Sequence, residues 1–108
     1  MFREAQNEVH DWIDRFEEGY WPPLAMLARL TEEVGELARE INHSHGSKPR
    51  KPGEEHPGID EEIADTLFVL IALANSLDVD LDEAFSRVMA KYRSRDAGRW
   101  TPRSSGSR

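Results

Sequence analysis

Apolar positions recur along this chain at the three- and four-residue spacing of amphipathic helices, and no stretch shows the two-residue alternation of a strand. Phe2, Ala5, Val9, Trp12, Ile13 and Phe16 form a first stripe, with Trp12 read as core, and Gly19 closes it. Pro22-Pro23 open a second helix, because proline is tolerated in a first turn. That helix is predicted from about Pro23 to Asn42, with Leu24, Leu27, Thr31, Val34, Ala38 and Ile41 as its core face, flanked by Leu30 and Leu37. A polar loop rich in Gly, Pro, Lys and His runs from His43 to Gly58. A third helix is expected over Ile59 to Leu77. Its second half, Leu67 to Ala74, is apolar on every side, which suits a helix buried all round, either centrally or at a subunit interface. Asp80 reads as the N-cap of a fourth helix, with Glu83 three residues on. Leu81, Ala84, Phe85, Val88, Met89 and Tyr92 form its apolar face. The expected fold is all-α: four helices in one domain over residues 1–100, followed by a flexible basic tail at 101–108.

The chain has 108 residues, enough for one modest core, so self-association is a natural source of further stability. The formal net charge is −7, which argues against nucleic acid or an anionic membrane as partner. There is no cysteine, so disulfides, zinc–thiolate sites and thiol nucleophiles are excluded. No signal peptide and no apolar run of membrane-spanning length occurs, and a cytoplasmic location is expected.

Acidic residues change the picture most. Glu33 and Glu36 are three residues apart on the second helix, and Glu62 and Asp65 three apart on the third. Each pair therefore points to one side of its helix. On a wheel of about 100° per residue, Glu62 and Asp65 share a face with Val69, Ala72 and Leu73, which draws them toward the interior. Buried carboxylates must protonate, pair with bases or bind a cation, and the third helix contains no Lys or Arg. Mg²⁺ takes oxygen ligands of this kind. The plainer alternative is a solvated acidic face, helped by the favourable position of Asp60, Glu61 and Glu62 in a first helical turn.

Glu32-Glu33-x-x-Glu36, a gap of 25 residues and Glu62-x-x-Asp65 resemble the signature of the MazG-like all-α nucleotide pyrophosphohydrolases. The likeness extends through Leu30 to Ala38, Glu62 to Leu67, and Lys91-Tyr92-x-x-Arg95, within residues 20–100. It implies a MazG-like four-helix bundle, a homodimer or homotetramer, that hydrolyses nucleoside triphosphates between the α and β phosphorus atoms. It also implies Glu33, Glu36, Glu62 and Asp65 as ligands of Mg²⁺, with Mn²⁺ as a substitute. Glu32 lies on the solvent side by angle, and a water-orienting catalytic role is assigned to it. Lys91 becomes a phosphate contact that also assists catalysis, and Arg95 a further contact; the plainer reading is two cations at a helix C-terminus. Trp21 and His43, with Tyr20, are candidates to stack on a nucleobase, although aromatics before a helix also pack as a staple. Lys48, Arg50 and Lys51 are either solvated or able to close on phosphates.

Two rival readings stand beside this one. The first is a non-enzymatic helical interaction module. The second is a pyrophosphohydrolase acting on another substrate, such as phosphoribosyl-ATP. Glu40-x-x-His43 has no second Glu-x-x-His in the chain, so a di-iron bundle is set aside.

Overall fold

The computed structural model describes residues 1–46, 49–53 and 58–104. It contains four helices, α1 (Phe2–Ile13), α2 (Pro23–His45), α3 (Ile59–Ser76) and α4 (Leu81–Arg95), and no strand among the described residues. None of these helices is long and apolar enough to cross a membrane.

Local chemistry sets the boundaries. Pro22 and Pro23 start α2 without wasting an amide donor, since the first-turn N–H groups have no helical acceptor. Gly58, at φ 105°, turns the chain through a conformation that suits glycine, and three acids then fill the first turn of α3. Asp80 caps α4 by accepting a hydrogen bond from the Glu83 amide at 3.2 Å, as its position predicted. The Phe2 amide at the start of α1 donates to Asp82 Oδ1 at 2.6 Å, which ties the first helix to the last. That bond holds the Asp82 carboxyl below its ordinary pKa.

α2 and α3 form the main packed pair, α1 lies against α3, and α4 packs chiefly on α1. The core is small. Val9, Met26, Ile71 and Ala72 are buried together, with Ala5, Ile13, Tyr20, Leu73 and Leu81 partly buried around them. Gln6 brackets this junction. Its amide nitrogen donates to Asn75 Oδ1 and the Val79 carbonyl, while its Oε1 accepts from the Leu81 amide.

Two expectations are corrected here. The stripe on α2 assigned to the core is outward-facing: Leu24, Leu27, Val34 and Ile41 are all exposed. The buried row of α2 is Met26, Glu33 and Glu40, spaced by seven. α2 carries apolar residues on more than one row, and α3 covers the row that bears the acids. Trp12 is also not core. It is half exposed and packs edge-on against Phe16.

α3 shows the same division. Val69, Ile71, Ala72 and Ala74 are buried, whereas Ile63, Leu67, Phe68 and Leu70 remain exposed in the single chain. α2 runs three residues past its expected end, to His45, where the Gly46 amide bonds back to the Asn42 carbonyl. Of the loop basics, Lys48 lies outside the described residues, as do the last four residues of the expected tail.

Candidate active site

Packing α2 against α3 brings the two acidic pairs together. One carboxylate oxygen from each of Glu33, Glu62 and Asp65 lies within 4.8 Å of the other two. Glu33 is 5% exposed and Glu62 is 3% exposed, while Asp65 faces solvent. Asp65 therefore forms the open side of the cluster, against the expectation that both α3 acids are drawn inward. Glu36 is exposed and lines the same cleft as Glu32, Glu33 and Asp65, with Trp21, Ala25, Ala28 and Arg29 completing its walls.

The electrostatics are those of crowded carboxylates. Burial pushes the Glu62 carboxyl above its ordinary pKa, and the negative charges of Glu36, Asp65 and Glu33 push it further. Glu33 is partly compensated, since Arg29 Nε donates to its Oε1 at 2.8 Å. Glu33 Oε2 and Glu62 Oε2 are buried without a hydrogen-bond partner. Such orphaned oxygens are costly to keep in a protein interior. An all-oxygen donor set with two unsatisfied carboxylate oxygens fits a hard divalent cation such as Mg²⁺ or Mn²⁺.

A second feature adjoins the cleft. Trp12, Ile13, Phe16, Tyr20, Met26 and Val69 are among the walls of a predominantly apolar cavity of about 400 Å³. That volume falls within the range of roughly 300–1,000 Å³ usual for small-molecule sites. Trp21 and Arg29 line both cavity and cleft, so the two adjoin. The Tyr20 ring is held in the cavity wall by its hydroxyl, which accepts from Asn75 Nδ2 at 3.2 Å and bonds His10 Nδ1 at 2.8 Å.

The other sequence candidates are placed elsewhere. His43 is half buried near the end of α2 and lines neither the cavity nor the cleft. Lys91 is exposed on α4, with Nζ 5.5 Å from the Tyr92 ring. Arg95 makes two hydrogen bonds to Asp96, at 2.9 and 3.1 Å. Neither cation lines the acidic cleft of its own chain. Arg50 is not directed to phosphates, because its Nη2 lies 2.6 Å from Glu40 Oε1.

Sequence reasoning missed the burial of Glu40. Glu40, at 1% exposure, is the most buried large side chain. The available signal was its seven-residue spacing from Glu33, which places both on one row of the helix. Arg29, four residues before Glu33 and so within reach of an ion pair along the helix, was among the partners open to these acids, and the structure pairs it with Glu33.

Comparison with known proteins agrees with this geometry. The sequence model of the MazG nucleotide pyrophosphohydrolase domain matches residues 22–100. The uncharacterized protein YpjD of Bacillus subtilis is 56% identical over 104 residues, covering 96% of this chain and 94% of its own. Mouse (Mus musculus) dCTP pyrophosphatase 1 is 34% identical over 88 residues, 79% of this chain but only 49% of the mouse protein. Among solved structures, YPJD from Bacillus subtilis superposes with a TM-score of 0.77 over 85% of this chain and 94% of that one. A Bacillus-conserved MazG protein, a nucleotide pyrophosphohydrolase, gives 0.75 at 49% identity over 88% of this chain and 92% of that one. With its all-helical architecture, its paired carboxylates and a match over most of its length, this chain belongs to the MazG nucleotide pyrophosphohydrolase family.

Proposed function

We propose that the chain hydrolyses a nucleoside or deoxynucleoside triphosphate between the α and β phosphorus atoms, releasing a nucleoside monophosphate and pyrophosphate. The observation that carries this reading is the adjacency of an aromatic cavity and a carboxylate cluster, which share Trp21 and Arg29 as walls. A nucleobase needs an apolar, π-rich wall, and Trp21 and Tyr20 supply one. A triphosphate can approach four acids only when cations lie between them. Glu33, Glu36, Glu62 and Asp65 are the residues that would hold Mg²⁺ or Mn²⁺. When bound, such an ion polarises phosphoryl oxygens and lowers the pKa of its water. Glu32, exposed at the cleft, is assigned to orient the attacking water and take its proton on a carboxylate oxygen.

The similarity to a protein named for dCTP supports a nucleoside triphosphate substrate over phosphoribosyl-ATP. Product analysis tests the assignment. Pyrophosphate should appear with the monophosphate, and orthophosphate only after inorganic pyrophosphatase is added. Orthophosphate and a nucleoside diphosphate without that addition would place cleavage at the γ phosphorus and reject the reading.

We further propose that the working form is a homodimer or homotetramer in the cytoplasm. Support comes from the exposed apolar rows of α2 and α3, since contiguous exposed apolar surface of this kind marks an interaction site. In such an assembly Lys91, remote from its own cleft, would serve a neighbouring copy's phosphates, with Arg95 beside it. Leu70, 44% exposed on α3, is a suitable probe. Wild type should have a solution mass of at least two chains by light scattering, and Leu70→Glu should shift it toward one. A monomeric wild type at tens of micromolar would reject the proposal.

A further inference from the structure

Arg29 stands where the two halves of the site meet. Its Nε donates to Glu33 Oε1 at 2.8 Å, and its guanidinium carbon lies 5.9 Å from the centre of the Trp21 ring. One planar group thus touches a cluster carboxylate and an aromatic wall of the cavity. The hydrogen bond engages a single oxygen of Glu33. The other, Oε2, is buried and unpartnered, in the side chain that approaches Glu62 and Asp65. Arg29 therefore satisfies one oxygen of the carboxylate, fixes its plane and leaves the other oxygen open to a cation. The side chain is about half exposed, so it would not persist against Glu33 for lack of water. The bond is charge-assisted, and the planar guanidinium holds its donor in a fixed direction, which a freely rotating lysine ammonium does not.

We infer that Arg29 is a positioning residue that orients Glu33 for the divalent cation and, through its contact with Trp21, couples occupancy of the apolar cavity to cation affinity. The inference rests on the metal-dependent reading above. Partners that orient a ligating carboxylate commonly carry a ten- to hundredfold share of metal affinity. Coupling between two sites is reciprocal, so a group touching both transmits in each direction.

The alternative role has the opposite sign. If Arg29 were an internal counter-ion competing with the cation for Glu33, its removal would tighten metal binding. The direction of the change therefore decides between the two.

The test is Mn²⁺ binding to the full chain by calorimetry and electron paramagnetic resonance, with and without a non-hydrolysable α,β-methylene nucleoside triphosphate. Arg29→Gln should weaken Mn²⁺ binding about ten- to a hundredfold without nucleotide. Arg29→Lys, which keeps the charge but not the fixed donor direction, should fall between the two and provides a folded comparison if the glutamine variant is unstable. Trp21→Leu removes no metal ligand. It should leave Mn²⁺ binding without nucleotide within a few-fold of wild type while reducing the tightening that nucleotide produces.

Affinity unchanged or increased in both Arg29 variants would overturn the orienting role. A Trp21→Leu protein with undiminished nucleotide-induced tightening would overturn the coupling. Glu62→Gln separates the underlying reading. If Mn²⁺ binds wild type and Glu62→Gln equally, the metal site itself is rejected, whereas a loss confined to Glu62→Gln rejects Arg29 alone.

Discussion

Replacing Glu62 with glutamine should stabilise the metal-free protein and at the same time abolish both turnover and the stabilisation conferred by metal. Glu62 is almost fully buried, one of its oxygens has no partner, and the neighbouring acids Glu36, Asp65, Glu33 and Glu61 repel its charge. Burial and those neighbours raise its pKa in the folded state. Its contribution to stability is therefore present at low pH and is lost as pH rises through the raised value. Above that raised value the ionised carboxylate weakens the metal-free fold, and the isosteric amide removes that burden. Wild type, by contrast, should gain about 2.7 kcal/mol at a metal concentration a hundredfold above Kd. For a domain of this size that gain is a rise in Tm of roughly 10–20 °C. Thermal melts across a Mg²⁺ titration check both halves. A Tm insensitive to saturating Mg²⁺ in wild type, or a Glu62→Gln variant that still responds fully, would rule out the ligand assignment.

The second large effect is expected at a pair outside the cleft. Glu40 is 1% exposed and meets Arg50 across the start of the connection between α2 and α3, with Nη2 to Oε1 at 2.6 Å. Arg50→Ala leaves a carboxylate buried without compensation. Breaking a buried pair from one side costs about 3–5 kcal/mol, and the lower end applies because nearly a third of the Arg50 side chain stays in water. The expected loss is thus about 3 kcal/mol, or a fall in Tm of roughly 12 °C or more. Glu40→Gln should cost less, because Arg50 can then turn outward. The double change Glu40→Leu with Arg50→Met should recover most of the loss, since apolar replacements of buried pairs are often neutral or better. Chemical denaturation of the four proteins measures each of these losses. A loss below about 1 kcal/mol for Arg50→Ala would mean the pair behaves as an exposed one.

Much of the architecture was legible because helical spacing, proline pairs and a capping aspartate are local signals. The helix boundaries follow from them to within a few residues. The association of Glu33, Glu62 and Asp65 was legible for the same reason: each acid is fixed to one side of a helix by its spacing. What spacing does not tell is which side meets a neighbour. α2 presents the outward row Leu24, Leu27, Val34 and Ile41, and the mixed row through Met26, Glu33 and Glu40. Apolarity pointed to the first row as core, whereas tertiary packing buried the second. The buried pairing of Glu40 escaped notice because its partner Arg50 lies ten residues away outside the helix, a relation without periodicity. The cavity was hidden because it forms only when the turn bearing Tyr20 and Trp21 comes back over α3. Trp12, read as core, is one of its walls.

The buried row of α2 also acts as a ruler. Met26 lies in the cavity wall and Glu33 at the carboxylate cluster, seven residues apart on one side of a straight element. At 1.5 Å per residue the two marks are about 10 Å apart. On the proposed function, substrates are selected by length as well as by charge. A molecule must present a flat ring at one mark and phosphates at the other to engage both. Bare pyrophosphate, or a sugar phosphate without a ring system, reaches only the acidic mark.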